Sequence, residues 1–446
     1  MNRAQIGLLV LAGTAFLLST DLTMVNVALG PLQQDLQASL TELGWVVDGY
    51  SIAMVSLLLV AAPLGERWGQ KRVFLLGLVM FGIASLMGAR ANQITMLISA
   101  RVLMGLGAAL MLAPGQLLTA KLFAPEQRTA AFATWSAAGA LGLCLGPLVG
   151  GLLVSDLGWR WVFTVNLPVV ALGLMVGLKV LPTALSDQGR SLELSSALLS
   201  TLGLTLSLGA LLQGPAQSWR SPWIWAALVT GLLLVVGFVR RQLRLQEPLL
   251  QLRAWQLGPV RQALLGLFAM TISFNGGQFL AVLRLHQQGW SPLAIGSLLA
   301  PYALVVWLAS RAAAPLARKL GSPPLIRLAF APLILGLGLL GAPASAALPG
   351  LVCGLALMVG GVGQGLLAPV ATAQAYNALP QHLLSSGASL AMLARFLGSS
   401  LGVALLDALM ASSARYDISA LAGAALIGAC LLLEQTVPSR SLQHNG

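Results

Sequence analysis

Long apolar stretches recur along the whole chain, each broken by a short polar connection. The first, Ile6 to Leu29, runs 24 residues and carries a single charge, Asp21. About 20 apolar residues span a bilayer as a helix, so this stretch is long enough to cross. The same pattern predicts fourteen spans: 6–29, 44–64, 73–90, 96–120, 130–154, 161–181, 194–213, 223–239, 260–283, 294–316, 325–341, 347–372, 384–409 and 418–433. Short connections make neighbouring helices antiparallel. Six spans fall in 1–185 and six in 255–446, with two between them in 186–254, followed by the most basic connection, Arg240 to Arg253. The expected fold is all-α: a polytopic membrane protein of two six-helix bundles with two additional central helices.

Composition agrees. Of 446 residues, 57% are hydrophobic and 9% charged, against about 25% charged in soluble globular domains. No long polar region is left to fold as a separate soluble domain. The first stretch is too long for a signal h-region and no small-residue cleavage site follows it, so it reads as a retained span. The net charge of +12 would suggest nucleic acid in a soluble protein. Here the bases sit in short loops, so no nucleic-acid partner is expected and the lipid bilayer is the surrounding medium. Eighteen of the 25 Lys and Arg residues lie on the side of the N-terminus, five on the other side, and Arg101 and Arg395 inside spans. The positive-inside rule then puts both termini of this multi-pass chain in the cytoplasm of a cell membrane. Cys144, Cys353 and Cys430 lie in spans without metal spacing and read as small packing residues.

The chemistry starts at Asp21. A carboxylate inside hydrocarbon costs at least about 2.5 kcal/mol, so it marks a functional position by default. With the N-terminus inside, it sits in the outer half of the bilayer. Ser19, Thr23 and Asn26 form one stripe of this helix, and Thr14 and Asp21 another on nearly the opposite side. A helix polar on two sides is surrounded by protein or lines a cavity. Span 4 contains a second charge, Arg101, on one face with Gly105 and Ala108. It either pairs with an acid in the interior or snorkels to the interface. Asp407, late in span 13, is a second acid, placed in the interior or near the outer interface. Asp48, beside Trp45 and Tyr50, reads as a residue of the outer mouth.

Three further patterns stand out. The loop after span 2 packs Gly65, Glu66, Arg67, Gly69, Lys71 and Arg72 between antiparallel helices, either as a charge cluster that locks the cytoplasmic side or as a basic loop that only fixes topology. Leu316 to Gly321 is a degenerate counterpart. In span 5, Gly142, Gly146 and Gly150 repeat every fourth residue beside Pro147 and Gly151. That leaves a bare groove for close helix contact, and Pro147 removes a backbone donor. Asn26, Trp135, Asn275, Gln278, Tyr302 and Gln364 are the polar and aromatic candidates for a mainly apolar binding cavity.

Together these stretches carry a resemblance. Ser19 to Leu29 resembles the first-span signature of the drug:proton antiporters of the major facilitator superfamily. Residues 62–72 are similar to its cytoplasmic loop motif, Arg101 to Ala109 to its arginine motif, and Gly139 to Gly151 to its antiporter motif. Gly360 to Gly365, with Arg395 to Ala404, resembles the late region of its fourteen-span branch. Ala62 stands where the loop motif usually has Gly, and Glu66 where it usually has Asp.

The resemblance implies a proton-coupled antiporter that exports hydrophobic or cationic drugs by alternating access, with a dedicated exporter of one metabolite as the alternative. It implies that Asp21 exchanges the proton and that Arg101 and Asp407 assist. It implies no cofactor, only the proton gradient, and partners limited to a small-molecule substrate and protons, in a protein functional as a monomer. A membrane-embedded enzyme would need a catalytic or metal cluster at the surface, and no loop offers one. A non-transporting sensor or scaffold would have no use for Asp21.

Overall fold

The computed structural model describes residues 2–183, 193–217, 221–245, 248, 250–290, 292–341, 349–380, 383–413 and 416–436. Fourteen long helices lie among these residues: α1 Arg3–Leu36, α2 Leu40–Trp68, α3 Gln70–Ala89, α4 Ile94–Leu122, α5 Pro125–Asp156, α6 Trp161–Val180, α7 Leu194–Gln217, α8 Pro222–Arg244, α9 Gly258–Gln287, α10 Pro292–Leu320, α11 Ser322–Leu340, α12 Pro349–Asn377, α13 Leu384–Ser413 and α14 Tyr416–Thr436. Ten of them are long and apolar enough to cross a membrane, and Ser195–Leu211 and Asp417–Leu433 are shorter apolar stretches.

The ends follow from local chemistry. Asn2 caps α1: its Oδ1 accepts from the Gln5 amide at 2.9 Å, while the Gln5 side chain accepts from the Asn2 amide at 3.0 Å. Ser39 and Glu42 form the same reciprocal box at the start of α2. The first helix runs on past the expected end at Leu29, through Pro31 to Leu36, and stops where Gln37 turns left-handed at φ 50°. Two helix junctions repeat each other: Gly69 between α2 and α3 has φ 92°, and Gly321 between α10 and α11 has φ 84°. Both are conformations that L side chains avoid.

The helices form two compact units. The first comprises Met1–Ala124, Gly142–Leu252 and His382–Leu390; the second comprises Pro125–Leu141, Arg253–Gln381 and Ala391–Gly446. The central pair α7 and α8 therefore groups with the first unit, where α7 packs on α2. Inside the first unit α4 lies against α2 and α3, and inside the second α12 lies against α10 and α11. Small residues allow both contacts. A methyl at Gly105 would overlap the Tyr50 carbonyl, and one at Gly365 would come close to the Val306 carbonyl.

Candidate functional site

The first unit closes around Asp21. Its carboxylate is wholly enclosed, and both oxygens are used. Arg101 Nη1 donates to Oδ2 at 2.7 Å, and Asn166 Nδ2 donates to Oδ1 at 2.9 Å. The Arg101 side chain is equally enclosed, so it does not snorkel. Its Nε donates to the Val46 carbonyl at 2.9 Å, and its guanidinium carbon stands 4.3 Å above the Tyr50 ring. Asn166 also lies 3.3 Å from Ser85 Oγ. Five helices, α1, α2, α3, α4 and α6, thus meet at one ion pair. Arg101 keeps one enclosed nitrogen, Nη2, without a hydrogen-bond partner.

An ion pair out of water is costly unless hydrogen bonds complete it, and here two do so, from Asn166 to Asp21 and from Arg101 to the Val46 carbonyl. The arrangement ties α1, α4 and α6 together through one enclosed ion pair. In this conformation no carboxylate oxygen of Asp21 is left for a substrate cation. Asn166, Tyr50 and Ser85 were not singled out from the sequence. Asn166 had a signal, as the amide inside the apolar run of span 6; Ser85 and the stacking of Tyr50 had none.

The glycine stripe of α5 lies on the same stretch of α1. A methyl at Gly142 would overlap the Phe16 carbonyl, one at Gly146 the Thr23 hydroxyl, and one at Gly150 would stand 2.7 Å from Met24 Cγ. Thr20 and Thr23 turn their hydroxyls back to carbonyls of their own helix, which clears the contact. Gly151 has open space around it and is not part of the contact. The helix continues through Pro147 without a break. The second unit uses the same device: a methyl at Gly398 of α13 would overlap the Phe268 carbonyl and the Thr271 hydroxyl of α9.

The loop after α2 is held by a residue outside the expected set. Gln70, buried, reaches back across Gly65 and donates to the Ala62 carbonyl at 3.1 Å. A methyl at Gly65 would overlap that amide. Lys71 Nζ donates to the Leu178 carbonyl at 2.6 Å, and Arg3 donates to the carbonyls of Lys179 and Val180 at 3.1 Å each. Two cations thus sit on the C-terminal carbonyls of α6, where the helix dipole is negative. Arg67 and Arg72 are exposed, and Glu66 lies in the field of Lys121. Asp48, expected at the mouth, is half-buried and accepts from Gln213 of α7 at 2.8 Å.

The cavity candidates divide. Tyr302 and Gln364 come together in the second unit, around a cavity of about 10 Å³ lined also by Ser273, Phe274 and Gly360. That is about the room one water needs. Tyr302 Oη and Gln364 Oε1 are enclosed there without hydrogen-bond partners, and the Phe274 and Tyr302 rings stack at 5.1 Å. The α9 backbone widens into a π-turn at Ile272–Gly276 beside it, a feature common at functional sites. Asn275 belongs to that turn and bonds back to the Thr271 carbonyl, and Gln278 is half-buried on the next turn. Trp135 is buried in the second unit. Asn26 is exposed on α1 of the first unit, so the six residues do not share one pocket of a single unit. The Asp407 side chain lies outside the described residues. Those residues hold no group of three or more metal-binding side chains.

Residues 11–403 match the family model of the Major Facilitator Superfamily. The chain is 34% identical over 286 residues to a Methylenomycin A resistance protein of Bacillus subtilis, covering 64% of this chain and 61% of that one. It is 31% identical over 428 residues to a Methylenomycin A resistance protein of Streptomyces coelicolor, covering 94% of this chain and 89% of that one. In structure it is similar to the proton:xylose symporter XylE, with a TM-score of 0.71 over 98% of this chain and 96% of that chain at 15% identity, a likeness of fold alone.

Proposed function

The chain belongs to the Major Facilitator Superfamily, and we propose that this membrane transporter is a proton-coupled exporter of hydrophobic drugs and toxic compounds. The observation that carries this reading is the enclosed pair of Asp21 and Arg101, fixed by Asn166, in a chain whose relatives are named for antibiotic resistance. A buried acid paired with a fixed cation is a proton site with two states. Paired, Asp21 is a carboxylate. When alternating access parts it from Arg101, the uncompensated charge in hydrocarbon favours uptake of a proton. When the pair re-forms, Arg101 displaces the proton to the opposite side. Protons then move inward as substrate moves outward.

The remaining roles follow from position. The α5 glycine stripe lets α5 slide on α1 next to Asp21. The loop from Gly65 to Arg72 serves as a cytoplasmic gate, since Lys71 and Arg3 hold the end of α6, the helix that supplies Asn166. The two halves alternate as six-helix bundles, with α7 braced on α2 and α8 on α7. Both termini lie in the cytoplasm of a cell membrane, and the protein works as a monomer. Because both oxygens of Asp21 are taken, a cationic substrate gains no attraction from it until the pair opens.

The test is accumulation of a hydrophobic dye in energised inside-out vesicles, with and without an uncoupler. Uptake abolished by the uncoupler and by Asp21→Asn, with the variant still inserted, supports the reading. Full gradient-driven uptake by Asp21→Asn removes Asp21 as the coupling site. A second reading, export of one dedicated natural product, is favoured by relatives that carry the name of a single antibiotic. A panel of chemically unrelated compounds separates the two.

A further inference from the structure

Arg395 is the second arginine inside a span, and its surroundings are the reverse of those of Arg101. It lies eleven residues into α13, about 17 Å along the axis from the start of the helix. A guanidinium carries five N–H donors. Among the described residues Arg395 uses one group of them, Nη2, which donates to Thr372 Oγ1 of α12 at 2.7 Å. Its Nε is enclosed without a partner.

No described carboxylate pairs with it. The acids of the second unit are Glu126, Asp407, Asp417 and Glu434. Asp407 stands twelve residues further along the same helix, about 18 Å away. Glu126 is in the first turn of α5, and Asp417 in the first turn of α14. Thr372, the partner of Arg395 among the described residues, shares a face of α12 with Tyr376, one turn on. Tyr376 is fully buried, its hydroxyl has no hydrogen-bond partner, and its ring stacks on Phe132 at 5.3 Å and 17°. It lies in the field of both Arg395 and Arg128. Arg128 donates to the Asn377 side chain at 2.8 Å.

A partly enclosed cation with no counter-charge among the described residues, beside a hydroxyl without a hydrogen-bond partner, is half of a recognition site. We propose that Arg395 and Tyr376 form a subsite in the second unit for the carboxylate of an exported compound. A carboxylate accepts two parallel N–H bonds from one guanidinium, a match that Lys does not reproduce, and a third from a phenol hydroxyl. The proposal rests on the exporter reading and assigns its substrates a charge: hydrophobic acids and zwitterions are admitted.

The test uses the full chain in nanodiscs of zwitterionic phosphatidylcholine, which removes anionic lipid as a rival occupant. Binding of benzoate and of benzamide, its neutral counterpart, is followed by tryptophan fluorescence. Wild type is expected to prefer benzoate by at least about tenfold, Arg395→Gln to bind both within about twofold, and Arg395→Lys and Tyr376→Phe to fall between. The wild-type comparison needs no variant to fold. No preference in wild type, or full preference in a folded Arg395→Gln, overturns the assignment. Benzoate preference without gradient-driven dye uptake in the vesicle assay sinks the exporter reading and leaves the site. Dye uptake without benzoate preference does the reverse.

Discussion

The two units share their scaffolding and differ in their chemistry. Each has a central helix, α4 or α12, against two neighbours. Each opens a helix junction with a positive-φ glycine, Gly69 or Gly321, and each lays a glycine of one helix on a threonine of another, Gly146 on Thr23 and Gly398 on Thr271. Inside, the first unit holds a neutralised pair whose acid has both oxygens engaged. The second encloses Tyr302 and Gln364 at a water-sized cavity and an arginine with no described acid. A repeated fold thus fixes where helices touch, while the polar residues placed at those contacts decide which half stores charge and which has hydrogen-bonding capacity to spare.

The comparison breaks most sharply at the ion pair. Arg101→Leu leaves Asp21 enclosed and unpaired, with an expected loss of about 3–5 kcal/mol in thermal or denaturant unfolding of the purified protein. Asp21→Asn with Arg101→Gln should recover most of that loss, because neither variant residue is charged. A double variant no more stable than Arg101→Leu would show that the two charges are not coupled.

The shared glycine contacts come next. Gly146→Ala and Gly398→Ala each force a methyl onto a threonine hydroxyl, and each should cost about 1–3 kcal/mol. Gly151→Ala, with open space around it, should cost far less. Equal effects at 146 and 151 would refute the packing account.

Tyr302→Phe sharpens the contrast from the other side. No protein hydrogen bond is lost, so its stability should stay within about 1 kcal/mol of wild type.

The smallest effect is expected before α7. The two-pronged hydrogen bond from Arg241 holds the Glu193 carboxyl down to about 2, with Ser196 adding to it. Because that carboxyl is depressed below its unfolded value, its contribution is present above pH 4.5 and fades as pH falls toward 2. The pair is partly exposed, so Glu193→Gln should lower the melting temperature by under about 2 °C near neutral pH, and by nothing measurable at pH 2.

Much of this was legible in the chain. The fourteen helices stand where apolar runs of span length predicted them, since a bilayer demands such runs. Asp21 and Arg101 stood out as charges in hydrocarbon, and that alone put a pair within reach. Gln70, Asn166 and Ser85 were harder to see, because a single polar residue in an apolar run looks like ordinary packing until its partner is in place. Asn26 shows what spacing alone leaves open: it gave the residue a stripe, and the structure leaves its side chain exposed on α1.

The sequence by itself determined the span pattern, the charge asymmetry between loops and the few ionisable residues inside spans. These depend on local composition and on the solvent the chain must cross. Only the tertiary structure decided that Asn166 completes the Asp21 pair and that Arg395 meets Thr372. Residues 145 positions apart, such as Asp21 and Asn166, meet only when five helices pack together, and no local pattern encodes the distance between them.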